Sequence, residues 1–122
     1  MVADRAHHRL QWFTLEGEHR RTQAGFLLPA NCDTHEGLLL VPDLEARLTL
    51  LDKENNVVAQ LGGDPQWHDR VMSNNNAMRS RPAQWVDGKF VHPHDACFDR
   101  QGNILVAEWV ATGRVSRLTK VS

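Results

Sequence analysis

The residues best suited to chemistry stand in one short phrase, His92-Pro93-His94-Asp95. A neutral imidazole is a metal ligand, and a neighbouring carboxylate can orient it through its second ring nitrogen. In an extended segment His92 and His94 share one face, because side chains alternate along a strand. Pro93 can bend the chain between them. A catalytic zinc takes three protein ligands, and His94, His92 and His35 are the candidates this chain offers. The plainer reading of each is a loop or channel-lining histidine that meets water. His7-His8 reads as part of a solvated turn.

Two further groups carry polar chemistry. Asp4, Asp43 and Glu108 each precede an arginine (Arg9, Arg47 and Arg114) by a few residues across an expected turn. Each acid and arginine can form a cross-strand, charge-assisted pair that pins the turn. A feature repeated three times is structural, since a catalytic residue has no reason to recur in every unit. The stretch 64–87 resembles nothing else in the chain and holds Trp67, His68, Asn74-Asn75-Asn76 and Trp85. Trp67 and Trp85 either stack on a ligand, with Asp95 as a further contact, or anchor the stretch to the rest of the protein.

These residues must be placed by a small domain. The chain has 122 residues, with 41% hydrophobic and 24% charged, which is a globular composition. Its net charge is -1, and the basic cluster Arg79, Arg81 and Lys89 is interrupted by Asp69 and Asp87. That argues against a nucleic-acid partner. No apolar run approaches the roughly 18 residues of a membrane span, and the first residues have no signal-peptide core. Two cysteines, Cys32 and Cys97, read as small buried side chains in strands or as a single bridge.

The elements follow from an internal repeat. The phrase beginning Val2-Ala3-Asp4 returns at Val41-Pro42-Asp43 and at Val106-Ala107-Glu108. Its skeleton is Val, a small residue or Pro, an acid, a turn, Arg and an aliphatic residue. The copies start 39 and 65 residues apart, and removing 64–87 shortens the second interval to 41. A period near 40 with short strands is the footprint of a propeller blade. Strands are expected near 2–4, 9–14 and 21–24, then 30–34, 38–42, 47–51 and 57–61, then 94–98, 103–108 and 114–119. The apolar runs Leu38–Val41 and Ile104–Ala107 suit strands covered on both faces. No long segment shows helical periodicity.

The phrase Gly102-Asn103-Ile104-Leu105-Val106-Ala107-Glu108-Trp109, followed by Gly113-Arg114-Val115, resembles the NHL repeat. So does Val2-Ala3-Asp4-Arg5 with Arg9-Leu10-Gln11-Trp12-Phe13. The resemblance covers residues 2–63 and 88–120. It implies an all-β fold: a partial β-propeller of about two and a half four-stranded antiparallel blades, part of a six-bladed ring. On this reading residues 1–24 are an incomplete first blade, 25–63 a complete blade, 64–87 an inserted loop and 88–122 an incomplete last blade, all in one domain. Pro93-His94-Asp95 is further similar to a metal-binding motif of the peptidyl-α-hydroxyglycine amidating lyases, with Ala30 at the place of His94 in the middle blade.

The expected function is therefore a module that binds a peptide or small ligand, or acts as a scaffold, without catalysis of its own. The alternative is a share in a zinc-dependent carbon–nitrogen lyase acting on peptides, with zinc or calcium held in a complete ring. The units at both ends of the chain break off within a blade. The expectation is a fragment whose open faces are covered by further blades of the same polypeptide or by self-association.

Overall fold

Two polar pentads, Asp52–Asn56 and Asp99–Asn103, reverse the chain by local bonding alone. The Asp52 carboxylate accepts from the backbone N–H of Glu54 and Asn56, and from the Asn56 side chain. Asp99 accepts from Gln101, Asn103 and the Asn103 side chain in the same pattern. The left-handed position of each turn falls to Asn55 and Gly102, residue types that tolerate it. These bonds hold the carboxyls of Asp52 and Asp99 below the ordinary range.

The computed structural model describes residues 1–121. Its strands form three antiparallel sheets. The first holds β1 (Val2–Asp4), β2 (Arg9–Phe13) and β3 (His19–Ala24) in that order. The second holds β4 (Asp33–His35), β5 (Leu38–Asp43), β6 (Arg47–Leu51) and β7 (Val57–Leu61). The third holds β8 (Pro93–Phe98), β9 (Ile104–Glu108) and β10 (Arg114–Leu118). Every strand expected from the repeat is present, with β4 shorter than expected. An isolated bridge between Pro29 and Asp43 prolongs β4's line and matches the Pro93–Glu108 pair of the third sheet. That places Ala30 in the position of His94. Strand makes up 41% of the chain and helix 17%, so the protein is mainly β rather than all-β.

Most of the helix comes from the stretch expected to be a loop; a 3₁₀ turn at Arg5–His7 adds the rest. Pro65–Met72 forms α1, followed by 3₁₀ segments at Asn74–Ser80 and Pro82–Gln84. Asp64 caps α1 by accepting from the Trp67 N–H at 2.8 Å, and Pro65 occupies the first turn. Trp67 and Val71, one turn apart, supply its buried face. The run is only eight residues long, too short for periodicity to stand out. Its Asp-Pro start was the available signal.

The core has three parts. Leu10, with Ala3 and Trp12, packs on Leu39, Val41 and Leu51, joining the first sheet to the second. Leu40, Leu48 and Leu50 pack on Ala96, Ile104 and Val106, joining the second to the third. The middle sheet is thus covered on both faces, and the three sheets lie in chain order. Phe26 and Phe90 occupy corresponding places before the two Pro positions and wedge into the successive interfaces. The third cluster joins Trp67, Val71 and Met78 to Ala46 and Val110. Residues 64–87 therefore cover the β5–β6 and β9–β10 turns.

Candidate functional site

The acid–arginine pairs are built as the repeat implies. Asp4 lies opposite Arg9, Asp43 opposite Arg47, and Glu108 opposite Arg114 across the three central hairpins. Arg9 Nε donates to Asp4 at 2.7 Å and Arg47 Nε to Asp43 at 2.9 Å; Arg114 Nε donates to Glu108. The residue before each arginine is left-handed: His8, Ala46 and Gly113. Turns of different length thus close on the same geometry. In the second and third sheets the carboxylate also accepts a backbone N–H from the incoming chain, Leu27 and Val91 respectively. Arg47 and Arg114 donate onward to the carbonyls of Gly25 and Lys89. Each pair therefore ties a hairpin to the segment that enters its sheet.

Environment separates the Asp43 pair from the Asp4 pair. Asp43 is fully buried, and burial pushes its carboxyl up despite Arg47, Thr49 and Leu27. Asp4 is partly exposed, and hydrogen bonds from His7 and Arg9 draw its carboxyl down to about 2.

The candidate ligand site lies where α1 meets the β5–β6 turn. A cleft of about 480 Å³ opens there, lined by Leu27, Ala46 and Pro65 with Glu45, Arg47 and His68. His68 Nε2 donates to Glu45 Oε2 at 2.8 Å, since a carboxylate can only accept. The hydrogen bond to Glu45, stronger than the opposing effect of burial, pushes the His68 imidazole above its ordinary value. Asp64, whose carboxyl is lowered by Lys89 and the Trp67 N–H, completes the rim. The arrangement joins an apolar floor to several polar groups, the usual make-up of a small-ligand cleft. His68 and Glu45 stand 23 positions apart, and only the helical packing of 64–87 brings them together.

The structure corrects several expectations for the motif histidines. His92 and His94 do not share a face: His92 is buried, His94 is exposed, and a bulge falls between Pro93 and Asp95. The extra bulge residue breaks the strand alternation on which a shared face depends. His35 stacks on Phe98 at the other end of β8, so the three histidines are not brought together. His92 Nδ1 donates to the Leu44 carbonyl at 2.7 Å, which leaves Nε2 as a buried acceptor with no partner among the described residues. Burial depresses the His92 imidazole below its ordinary value. Asp95 is exposed and accepts from the Asn31 side chain at 2.8 Å and from its neighbour's N–H, Ala96. Among the described residues there is no group of three or more His, Cys, Asp or Glu side chains able to hold one metal ion.

The tryptophans resolve toward anchoring. Trp67 is 4% exposed, with its indole N–H donated to the Phe90 carbonyl, so no ring face is open for stacking on a ligand. Trp85 donates to the Met78 carbonyl at 2.7 Å and lies against the Arg114 guanidinium. The exposed tryptophan is instead Trp109, under the Arg79 guanidinium at 4.0 Å and beside His92. The cysteines are both free. Cys97 is exposed on β8 rather than buried, and Cys32, just before β4, is half-buried with its thiol pushed up by burial. His7, in the β1–β2 turn, donates to Asp4 at 2.7 Å, and His8 is exposed as expected.

Among the described residues no helix is long and apolar enough to cross a membrane. No family model matches the chain and no curated protein matches it, so the likeness to NHL repeats and to amidating lyases rests on the motifs alone.

Proposed function

We propose that this chain is part of an NHL-type β-propeller that binds a peptide or small ligand on the face carrying residues 64–87. The fold reading is supported by three antiparallel sheets stacked in chain order, each closed by the same acid–arginine hairpin. The ligand reading is carried by the cleft beside α1, where Glu45 and His68 meet over an apolar floor. Glu45 favours a ligand that presents a cationic or hydrogen-bond-donating group, such as a peptide amino terminus, because a carboxylate only accepts. The acid–arginine pairs act as structure, since their carboxylates are already saturated by protein donors.

Backbone amide shifts during titration with short peptides bearing free amino termini test this reading. Shifts should concentrate at residues 45–47 and 63–68 and weaken in Glu45→Gln. An absence of shifts there at millimolar peptide, or an unchanged response in Glu45→Gln, removes the ligand site.

A further inference from the structure

Counted from their acid–arginine pairs, the three central hairpins can be aligned residue by residue. Leu40 and Leu48 of the middle sheet correspond to Leu105 and Val115 of the third. Val41 and Leu51 correspond to Val2 and Phe13 of the first. Even the strand irregularity recurs in place, between Leu50 and Leu51 and between Trp12 and Phe13. Each sheet thus has two kinds of face, and inside the chain they always meet in one sense. The first sheet presents Leu10 and Trp12 to Val41 and Leu51 of the second. The second presents Leu40 and Leu48 to Ile104 and Val106 of the third.

At the ends of the stack the two halves of this interface stand open. Leu105 is 36% and Val115 75% exposed, where Leu40 and Leu48 are fully covered. Val2 is 51% and Phe13 38% exposed, where Val41 and Leu51 are fully covered. Leu105, Ala107 and Val115 line a shallow depression of about 110 Å³ on the outer face of the third sheet. It is the surface that, one sheet earlier, receives a neighbour.

We propose that this chain associates head to tail with a second copy of itself, the Leu105–Val115 face of one molecule seated on the Val2–Phe13 face of the other. A second copy is the fitting occupant because both complementary halves are on one chain, and the chain already joins such halves twice within itself. The contact is heterologous, so it leaves one face of each kind free on every pair. Those faces close into a six-sheet ring if the stack fans about an axis, and propagate into longer oligomers if it does not. Arg117 stands where the middle sheet has Leu50, which makes this contact more polar and weaker than the internal ones. The inference rests on the sheet stack and is independent of the ligand cleft.

Sedimentation velocity of the wild-type chain across about 1–500 µM, a range that spans weak to moderate affinities, is the test. Concentration-dependent dimers or larger species are expected. Val115→Arg and Phe13→Arg should each sediment as monomers, with circular dichroism reporting an intact fold. An equimolar mixture of the two should recover a 1:1 complex, because each supplies the face the other lacks. Val2→Arg, at a more exposed position, stands in for Phe13→Arg if that variant unfolds. A wild-type chain that remains monomeric throughout overturns the proposal. So does a mixture of folded variants that fails to pair, or a Val115→Arg chain that still dimerises.

Discussion

Replacing Arg47 with Met should cost far more stability than the same change at Arg9, although both arginines do the same thing in the repeat. Asp43 is fully buried and accepts from Leu27 N–H at 3.0 Å, Arg47 at 2.9 Å and Thr49 at 2.8 Å. Removing Arg47 leaves a buried carboxylate without its counter-charge, an effect of about 3–5 kcal/mol. A small domain is stable by only about 5–15 kcal/mol. With a urea dependence of about 2 kcal/mol per molar, the midpoint should fall by about 2 M. Because burial already raises the Asp43 carboxyl, the variant regains part of the loss on acidification. A raised folded-state value means stability is present at low pH and lost as pH rises through that value. In Arg9→Met the partner Asp4 is 20% exposed and Arg9 37%, so water takes over the lost charge and the midpoint should move far less. Arg114→Met should resemble Arg47→Met, since the Glu108 side chain is fully buried and Arg114 also holds the Lys89 carbonyl at 2.7 Å. Urea titrations of all three variants, followed by circular dichroism at pH 7 and pH 4.5, decide the matter. Equal losses in the three sheets, or a deficit for Arg47→Met that does not shrink on acidification, would refute the argument from burial.

The region of residues 64–87 and its surroundings yield further expectations. Trp67→Phe keeps most of the ring but strands the Phe90 carbonyl, at a cost of about 1–3 kcal/mol. Trp109→Ala, at a half-exposed position, should change stability by less than about 0.5 kcal/mol, both variants being read by thermal melting. Gly62→Ala drives a β-carbon into the Phe90 ring at a left-handed position and should lower the melting temperature more than Gly88→Ala, which meets only backbone strain. The raised His68 imidazole contributes stability fully present below the ordinary value near 6.5 and lost as pH rises through its folded value. Hydrogen exchange in α1, corrected for intrinsic rates, should therefore quicken above neutrality in wild type and lose that pH dependence in His68→Gln. The depressed His92 imidazole acts in the opposite sense, its contribution present above 6.5 and lost as pH falls through the folded value. His92→Gln should remove an acid-side weakening, read by the same exchange measurement around residues 90–93.

The strands were legible because hairpin chemistry is local. Asp99 to Asn103 bends the chain through its own side chains, and an acid opposite an arginine sets register within a few residues. The three copies of that pattern placed all ten strands and the acid–arginine pairs. The helix α1 was not legible by periodicity, because one buried stripe of Trp67 and Val71 is too short to distinguish from a loop. The histidine faces were misread for a related reason, since one extra residue at the Pro93–Asp95 bulge changes the sides on which neighbouring side chains fall.

The sequence by itself determined the repeat, the strand register and the residues that close each hairpin, since these depend on contacts between near neighbours. Tertiary structure alone decided that Glu45 and His68 meet, that Trp67 is sealed inside while Trp109 is exposed, and which apolar faces are covered. Those outcomes depend on how sheets and helix pack across long stretches of chain, and burial of a side chain is a property of what lands on it rather than of its own position in the pattern.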